Sequence, residues 1–373
     1  MAGLYIHVPF CLARCRYCDF YREAPLDGRR ADRFLEALDE ELRRLPRFSP
    51  ETVFIGGGTP TALDVFRLRR LLELLRRRVD LSAVVEFSCE ANPGTLTPEK
   101  LAVLREGGVN RLSLGVQSFD DRALRRLGRI HAGREAVEAF RLARTAGFDN
   151  IGIDLLQGIP GLSFTGHLAD LRLAVELNPE HLSSYNLSYE PGTPLSADRA
   201  AGRIVPFDEE AESDLYHAVR RTLLSAGFRH YEISNYARPG CACRHNLLYW
   251  TGGEYFGCGP AAFSHWQGER FGNPADLDRW IERLRAGEPP AVERERLPPR
   301  EKARETLVMN LRLVDGVDEA VFERRTGFSP RALCGDELDR LVEEGLLVRS
   351  AGRLSLPPEA LFISNTVFRR LLG

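Results

Sequence analysis

Three cysteines stand within eight positions of one another, Cys11, Cys15 and Cys18, in a C-x3-C-x2-C pattern. Thiolate sulfur is the usual protein ligand of iron–sulfur clusters. Three close thiols on one loop reach three irons of a cubane and leave the fourth iron open. An open iron accepts a small chelating molecule, and the amine and carboxylate of S-adenosylmethionine (SAM) suit that role. Spacing alone leaves two alternatives standing. Zinc in a structural site takes four protein ligands, which would call on His7 as the fourth, and three unrelated buried cysteines would need no metal at all. Eight cysteines in 373 residues are too sparse for a disulfide scaffold, and clustering in a reducing compartment favours metal binding or catalysis.

Other groups with chemical potential are spread along the chain. Gly56-Gly57-Gly58-Thr59-Pro60-Thr61 permits close backbone approach and unusual dihedrals, so it presents amides to a polar ligand or simply makes a tight turn. No Gly-Lys-Ser/Thr follows, so it is not a phosphate loop. Glu90 in Glu90-Ala91-Asn92-Pro93 can accept hydrogen bonds from ribose hydroxyls or stand as a solvated loop residue. Gln117, Arg129 and Asp154 are polar residues that individually could be satisfied structural groups. His245-Asn246-Leu247-Leu248-Tyr249-Trp250 joins an imidazole, a potential axial ligand to haem iron, to flat apolar rings; equally, it could be a histidine packed among aromatic core residues. Cys241-Ala242-Cys243-Arg244-His245 has metal-site spacing, but the two cysteines also read as incidental. Cys89, Cys258 and Cys334 are scattered and read as small core residues.

The elements that must position these groups alternate. Apolar, often β-branched runs at residues 4–8, 52–56, 84–89, 111–115, 150–156 and 181–187 predict six strands buried on both faces. Helical periodicity lies between them, as over 31–45, where Phe34, Leu35, Leu38, Leu42 and Leu45 share a face. Thr97 as cap, Pro98 at the first helical position and Gly107 at the exit punctuate another helix, and residues 134–146 predict a helix ending at Gly147. Strand–helix alternation implies parallel strands with right-handed crossovers. The predicted fold is α/β, a partial (β/α)6 TIM-like barrel, with a flat doubly wound sheet as second choice. In either, functional groups gather at the carboxyl ends of the strands. Beyond residue 200 the rhythm changes. Residues 207–227 look helical, an aromatic and glycine-rich stretch runs over 231–265, and Pro289, Pro290, Pro298 and Pro299 mark a linker. The expected division is 1–200 for the barrel, 201–298 for an extension, and 299–373 for an α+β region containing a winged-helix-like module with a hairpin from 346–348 to 353–356.

Composition excludes some classes. A net charge of −2 and a pI near 6.5 give no electrostatic argument for nucleic acid, so the C-terminal module is expected to serve packing or partner contact. Lys100 and Lys302 are the only lysines, so the positive charge is nearly all arginine. No apolar run approaches the ~20 residues needed to span a bilayer, and no signal-peptide pattern is visible; a cytoplasmic location is expected.

The stretch Tyr5-Ile6-His7-Val8-Pro9-Phe10-Cys11 through Cys18-Asp19-Phe20 resembles the coproporphyrinogen-oxidase-like branch of the radical SAM superfamily, and the likeness extends over nearly the whole chain. The resemblance implies a [4Fe-4S] cluster on Cys11, Cys15 and Cys18. It also implies a SAM site using Tyr5, Tyr17, Gly58, Thr59, Glu90, Gln117, Arg129 and Asp154. The implied chemistry is reductive cleavage of SAM to methionine and a 5′-deoxyadenosyl radical. The family holds two classes: dehydrogenases that decarboxylate coproporphyrinogen III, and haem chaperones that bind haem and pass it on. The dehydrogenases carry a fourth cysteine two residues after the third ligand, where this chain has Phe20, and a long extension ahead of the first strand, where this chain has four residues before Tyr5. His245-Asn246-Leu247-Leu248-Tyr249-Trp250 resembles the haem-associated H-N-x-x-Y-W motif of the chaperones and nominates His245 as a haem ligand. The expectation is therefore a haem chaperone that delivers to an acceptor such as a membrane-associated respiratory protein, with homodimer formation a further expectation. The runner-up is an oxygen-independent coproporphyrinogen III dehydrogenase, and a zinc-stabilised binding module is third.

Overall fold

The computed structural model describes residues 2–373. Six strands run parallel and pair in sequence order: β1 (Ala2–Val8), β2 (Thr52–Gly57), β3 (Glu86–Ala91), β4 (Arg111–Gln117), β5 (Ile151–Gln157) and β6 (His181–Asn186). Side chains alternate along them with the period of two that a pleated strand imposes. Leu4, Ile6 and Val8 of β1, Val53 and Ile55 of β2, Leu112, Leu114 and Val116 of β4, and Ile151, Ile153 and Leu155 of β5 join one core with residues of the surrounding helices. Between them, Tyr5, His7, Phe54, Ser88, Glu90, Arg111, Ser113, Asp154 and Ser183 point to the opposite face. The sequence reading expected strands apolar on both faces. Only the helix-covered face is so, because the inner face of a partial barrel encloses a polar site.

The helix after β3 carries the punctuation that the sequence led us to expect, whereas the first helix starts three residues ahead of its expected range of 31–45, on a cap the periodicity did not mark. Thr97 caps Pro98–Glu106 and Gly107 ends it. Asp27 accepts from the Arg29 and Arg30 amides at the start of Gly28–Arg44. A difference appears at β3, expected over 84–89: a turn closed by the Val84 amide on the Leu81 carbonyl holds the β-branched Val84 and Val85 outside the strand. β3 starts two residues later and carries Glu90 within it.

The segment 201–298 lengthens the barrel's sheet at both edges. Beyond β6 lie β8 (Asn235–Ala237) and β7 (Arg229–Glu232), both antiparallel to their neighbours. Beyond β1 lie β9 (Glu254–Cys258), parallel to it, then β10 (Phe263–Trp266), β11 (Glu269–Gly272) and β12 (Glu293–Glu295), antiparallel. One sheet of twelve strands results. The chain from Pro299 on builds a second core around Leu307, Phe322, Leu338, Leu354 and Val367. It combines helices with a three-stranded antiparallel sheet, β13 (Val317–Asp318), β15 (Arg353–Ser355) and β14 (Val348–Ser350). Asn310 Nδ2 donates to the Trp250 carbonyl at 2.7 Å and Arg325 donates to the carbonyls of Thr251 and Gly252, tying this module to the barrel.

Candidate cofactor site

The cysteine loop leaves the carboxyl end of β1 and is held by its neighbours' backbones. Gly58 and Thr59 donate to the carbonyls of Val8 and Phe10 at 2.8 and 2.7 Å, Cys11 donates to Glu23 at 3.0 Å, and Arg16 donates to Leu127 at 2.9 Å. The glycines make this approach possible: a Cβ on Gly58 would stand 2.7 Å from the Phe10 carbonyl oxygen, and Gly57 has φ +103° with the His7 ring 2.7 Å from where its Cβ would be. Tight packing is thus their observed role, beside any contact with a ligand.

Each thiol faces a different donor. Cys11 Sγ lies 3.6 Å from the Thr59 hydroxyl, Arg22 donates to Cys18 Sγ at 3.3 Å, and Arg129 donates to Cys15 Sγ at 3.5 Å. Hydrogen bonds to cluster sulfurs are among the features that set a cluster's potential. Burial pushes the Cys11 and Cys18 thiols up, so iron must displace their protons on binding. His7 is not available as a fourth ligand. Its Nε2 engages the Tyr21 carbonyl at 3.0 Å and its Nδ1 engages the Tyr5 hydroxyl at 3.1 Å. Among the described residues no group of His, Cys, Asp or Glu converges on a single-ion site. Three thiols spread around one cavity, each with its own donor, fit a multi-iron cluster better than one zinc ion.

That cavity measures about 550 Å³. Its walls include all three cysteines together with Tyr17, Gly58, Thr59, Glu90, Gln117, Arg129 and Asp154, so residues from five strands' carboxyl ends meet in one place. Arg129, half-buried, also donates to the Asn92 side chain at 2.5 Å and to the Gly115 carbonyl, while Asn92 donates to Thr59 at 2.6 Å. Glu90 accepts from the Gly57 amide at 3.2 Å; burial, reinforced by the Asp154 charge, pushes it up to about 8. Burial raises Asp154 as well, against hydrogen bonds from Ser183 and Ser113. Gln117 takes a left-handed φ of 69° at a bulge between β4 and β5, a strained conformation for a residue other than glycine and a common mark of functional sites. Buried polar atoms remain without a partner here, Arg129 Nε and the Arg22 Nε and Nη2. They are donors suited to the carboxylate of a zwitterionic ligand, and the site's chemistry fits a cluster with SAM. Sequence reasoning passed over Asn92, Arg22 and Ser113; Asn92 was legible as part of Glu90-Ala91-Asn92-Pro93, whereas nothing local marked the other two.

Two nominated residues do not line this cavity. Tyr5 packs on Phe54 with its ring centroid 6.2 Å away and gives its hydroxyl to His7. His245 lies at the other end of the barrel. The short helix Arg244–Trp250 closes the amino ends of the strands, where Glu86, first residue of β3, accepts from the amides of Arg244 and His245 at 2.8 and 3.1 Å. The His245 ring is 1% exposed, stacks on Phe54, and has Nδ1 2.8 Å from the Thr52 hydroxyl and Nε2 2.8 Å from the Tyr249 hydroxyl. Both ring nitrogens are engaged within the fold, as in the core-histidine alternative. Cys243 is buried on Glu86 and Cys241 lies near the Pro239 carbonyl, so Cys241, Cys243 and the His245 ring do not converge. Cys89 and Cys258 are buried as expected of core residues, and Cys334 is half-buried beside the second core.

Comparison with known proteins identifies two family regions: the radical SAM superfamily over residues 5–172 and the HemN C-terminal domain over residues 297–363. A protein named heme chaperone HemW from Bacillus subtilis is 35% identical over 100% of both chains. HemW of Mycobacterium tuberculosis is 36% identical over 100% of this chain and 95% of its own, and that of Escherichia coli 42% identical over 70% and 69%. Among solved structures, coproporphyrinogen III oxidase (HemN) from Escherichia coli, described as a radical SAM enzyme, superposes with a TM-score of 0.87 at 23% identity, covering 99% of this chain and 89% of its own.

Proposed function

The chain belongs to the HemW family within the radical SAM superfamily, and on that premise we propose that it binds haem and passes it to an acceptor protein. The observation that carries this reading is the end-to-end likeness to proteins named heme chaperone. The likeness to the oxidase is one of fold alone and does not choose between carrier and enzyme. Phe20 supports the choice: it is 68% exposed at the rim of the cavity, where the dehydrogenases carry a fourth cysteine.

The family implies a [4Fe-4S] cluster and SAM, and the donors at the barrel mouth accommodate both. Cys11, Cys15 and Cys18 would hold the cluster; Gly58, Thr59, Tyr17, Glu90, Gln117, Arg129 and Asp154 would hold SAM. When bound, that pair supplies one-electron chemistry at the sulfonium. The chain's own residues do the positioning. Arg129 ties Cys15 to Asn92 and through it to Thr59, so the cluster loop and the SAM loop are linked by one chain of hydrogen bonds. Half-buried Glu90 and Asp154 give hydrogen-bond acceptors whose charge the surroundings disfavour, suited to neutral hydroxyls.

In this reading residues 1–200 form the cofactor barrel, 201–298 extend its sheet and close its floor, and 299–373 form the partner-facing module. Delivery takes place in the cytoplasm to a membrane-associated acceptor, and homodimer formation accompanies cluster loading. No described helix is long and apolar enough to cross a membrane. The test is anaerobic: with the cluster reconstituted, haem binding and coproporphyrinogen decarboxylation are measured side by side. Stoichiometric haem uptake without turnover is expected. SAM-dependent formation of protoporphyrinogen would overturn the reading in favour of the dehydrogenase, and failure to bind haem would remove it altogether.

A further inference from the structure

We propose that Arg22 is a positioning residue for the cluster: its guanidinium, hydrogen-bonded to the Cys18 sulfur, raises the cluster's reduction potential. This rests on the cluster reading above for Cys11, Cys15 and Cys18. Arg22 Nη1 donates to Cys18 Sγ at 3.3 Å and to the Phe20 carbonyl at 2.6 Å. A thiolate bound to iron still accepts hydrogen bonds, and such bonds are among the features that set a cluster's potential.

The local backbone aims the side chain at the sulfur. Phe10 and Glu23 form a parallel bridge, in which Cys11 donates to the Glu23 carbonyl at 3.0 Å and Glu23 to the Pro9 carbonyl at 2.6 Å. Residues 21–23 therefore run beside the start of the cysteine loop, and successive side chains of such a segment point to opposite sides. Tyr21 and Glu23 share one side. The Tyr21 hydroxyl donates to Glu23 at 2.7 Å and accepts from the Leu277 amide at 2.7 Å, and Glu23 pairs with Arg30 at 2.6 Å. Arg22, between them, faces the other way and lines the cavity with the three cysteines.

The charge of Arg22 is not spent on a carboxylate there. Its neighbours in the chain differ: Arg16 pairs with Asp198, and Arg30 with Glu23 and Asp278. The two acceptors of Arg22 are a sulfur and a carbonyl, and its Nε and Nη2 are shielded from water without a partner. Weak screening leaves the guanidinium acting on the thiolate beside it. Arg129 meets Cys15 Sγ at 3.5 Å in a similar way, but it also holds Asn92 and Gly115. Arg22 is thus the residue whose contact with a sulfur can be changed without cutting the link to the SAM loop. The sign follows from charge. Reduction adds one electron to the cluster, and a nearby cation favours the more negative, reduced form. A cluster that is easier to reduce is a weaker electron donor, which suits a chain that carries its cargo unchanged.

The full-length protein with its cluster reconstituted tests this, titrated with dithionite and read from the electron paramagnetic resonance of the reduced cluster. Arg22→Gln keeps a donor and loses the charge. At a fixed solution potential its ratio of reduced to oxidised cluster should fall about ten-fold, a midpoint about 59 mV lower for one electron. Arg22→Lys keeps the charge without the planar fork and should lie between. Arg14→Gln removes an exposed arginine from the same loop and should leave the midpoint unchanged. The midpoint belongs to the loaded molecules, so partial loading does not shift it; if Arg22→Gln holds no cluster, Arg22→Lys decides. A wild-type midpoint in the deciding variant, or an equal shift in Arg14→Gln, overturns the assignment while the cluster reading stands. If the wild-type protein takes up no four-iron cluster, the cluster reading and this proposal fall together.

Discussion

The mouth and the floor of the barrel use similar residue types to opposite ends. At the mouth, Arg22 and Arg129 keep N–H groups that meet no acceptor, and Gln117 holds a left-handed backbone. At the floor, both ring nitrogens of His245 are engaged by hydroxyls, and Glu86 accepts from two successive amides. Buried polar groups cost free energy unless partnered. Where partners are missing, a ligand is expected to supply them; where they are complete, the group is holding the fold. The strands between, of six or seven residues, put the two ends roughly 20 Å apart. By this criterion the cysteine loop offers donors to a ligand, and the motif histidine spends both its nitrogens on the fold.

The largest effect that could break this comparison comes from the cysteines. Cys15→Ser should reduce reconstituted iron and sulfide to background, measured chemically, and abolish SAM binding, while haem affinity changes by less than about two-fold. Parallel loss of haem binding would join the two regions into one site.

Next is His245→Ala. It removes two buried hydrogen bonds and a ring stack and leaves Thr52 and Tyr249 unpaired, a cost of about 2–4 kcal/mol. Thermal melting should show a clear drop, with the haem ligand signature intact. A stable variant lacking that signature would make His245 the haem ligand.

Arg129→Lys keeps the charge but loses the planar fork that reaches Asn92, Gly115 and Cys15 together. SAM affinity, measured by calorimetry on the reconstituted protein, should fall about ten-fold. Unchanged affinity would remove Arg129 from the SAM site.

The smallest effect is pH-dependent. Glu90 is raised to about 8 by burial, so over the range between its unfolded value and 8 the native state holds a proton that the unfolded state has lost. Stability is then lost as pH rises, by at most about 1.4 kcal/mol per unit. Glu90→Gln removes this loss, so its melting-temperature advantage in the ligand-free protein should grow from pH 6 to pH 8.5. A constant difference would mean that Glu90 is charged in the folded state throughout.

Much of this was legible in the chain. Spacing alone put three thiols on one loop after the first strand, and strand–helix alternation put Glu90, Gln117 and Asp154 on the same rim, because parallel strands with right-handed crossovers bring all their carboxyl ends together. Capping residues marked helix starts, since Thr97 and Pro98 act through bonds to their immediate neighbours. Arg22 and Ser113 escaped notice because their partners, Cys18 and Asp154, matter through geometry and no motif contains them. The 201–298 segment carried no signal that it would lengthen the sheet at both edges, because pairing is set between backbones far apart in sequence.

The sequence by itself determined that three thiols share one loop, since spacing is local, and it pointed to the cofactor class through the family resemblance of the residues around them; it determined the strand–helix alternation too, since periodicity is local. Only the tertiary structure decided what the histidines do. His245 stands among aromatic residues in the chain and there could equally face iron or pack in a core. In the fold its Nδ1 meets Thr52, the first residue of β2, and its Nε2 meets Tyr249 on its own helix, partners that only the packing of that helix against the strands brings together.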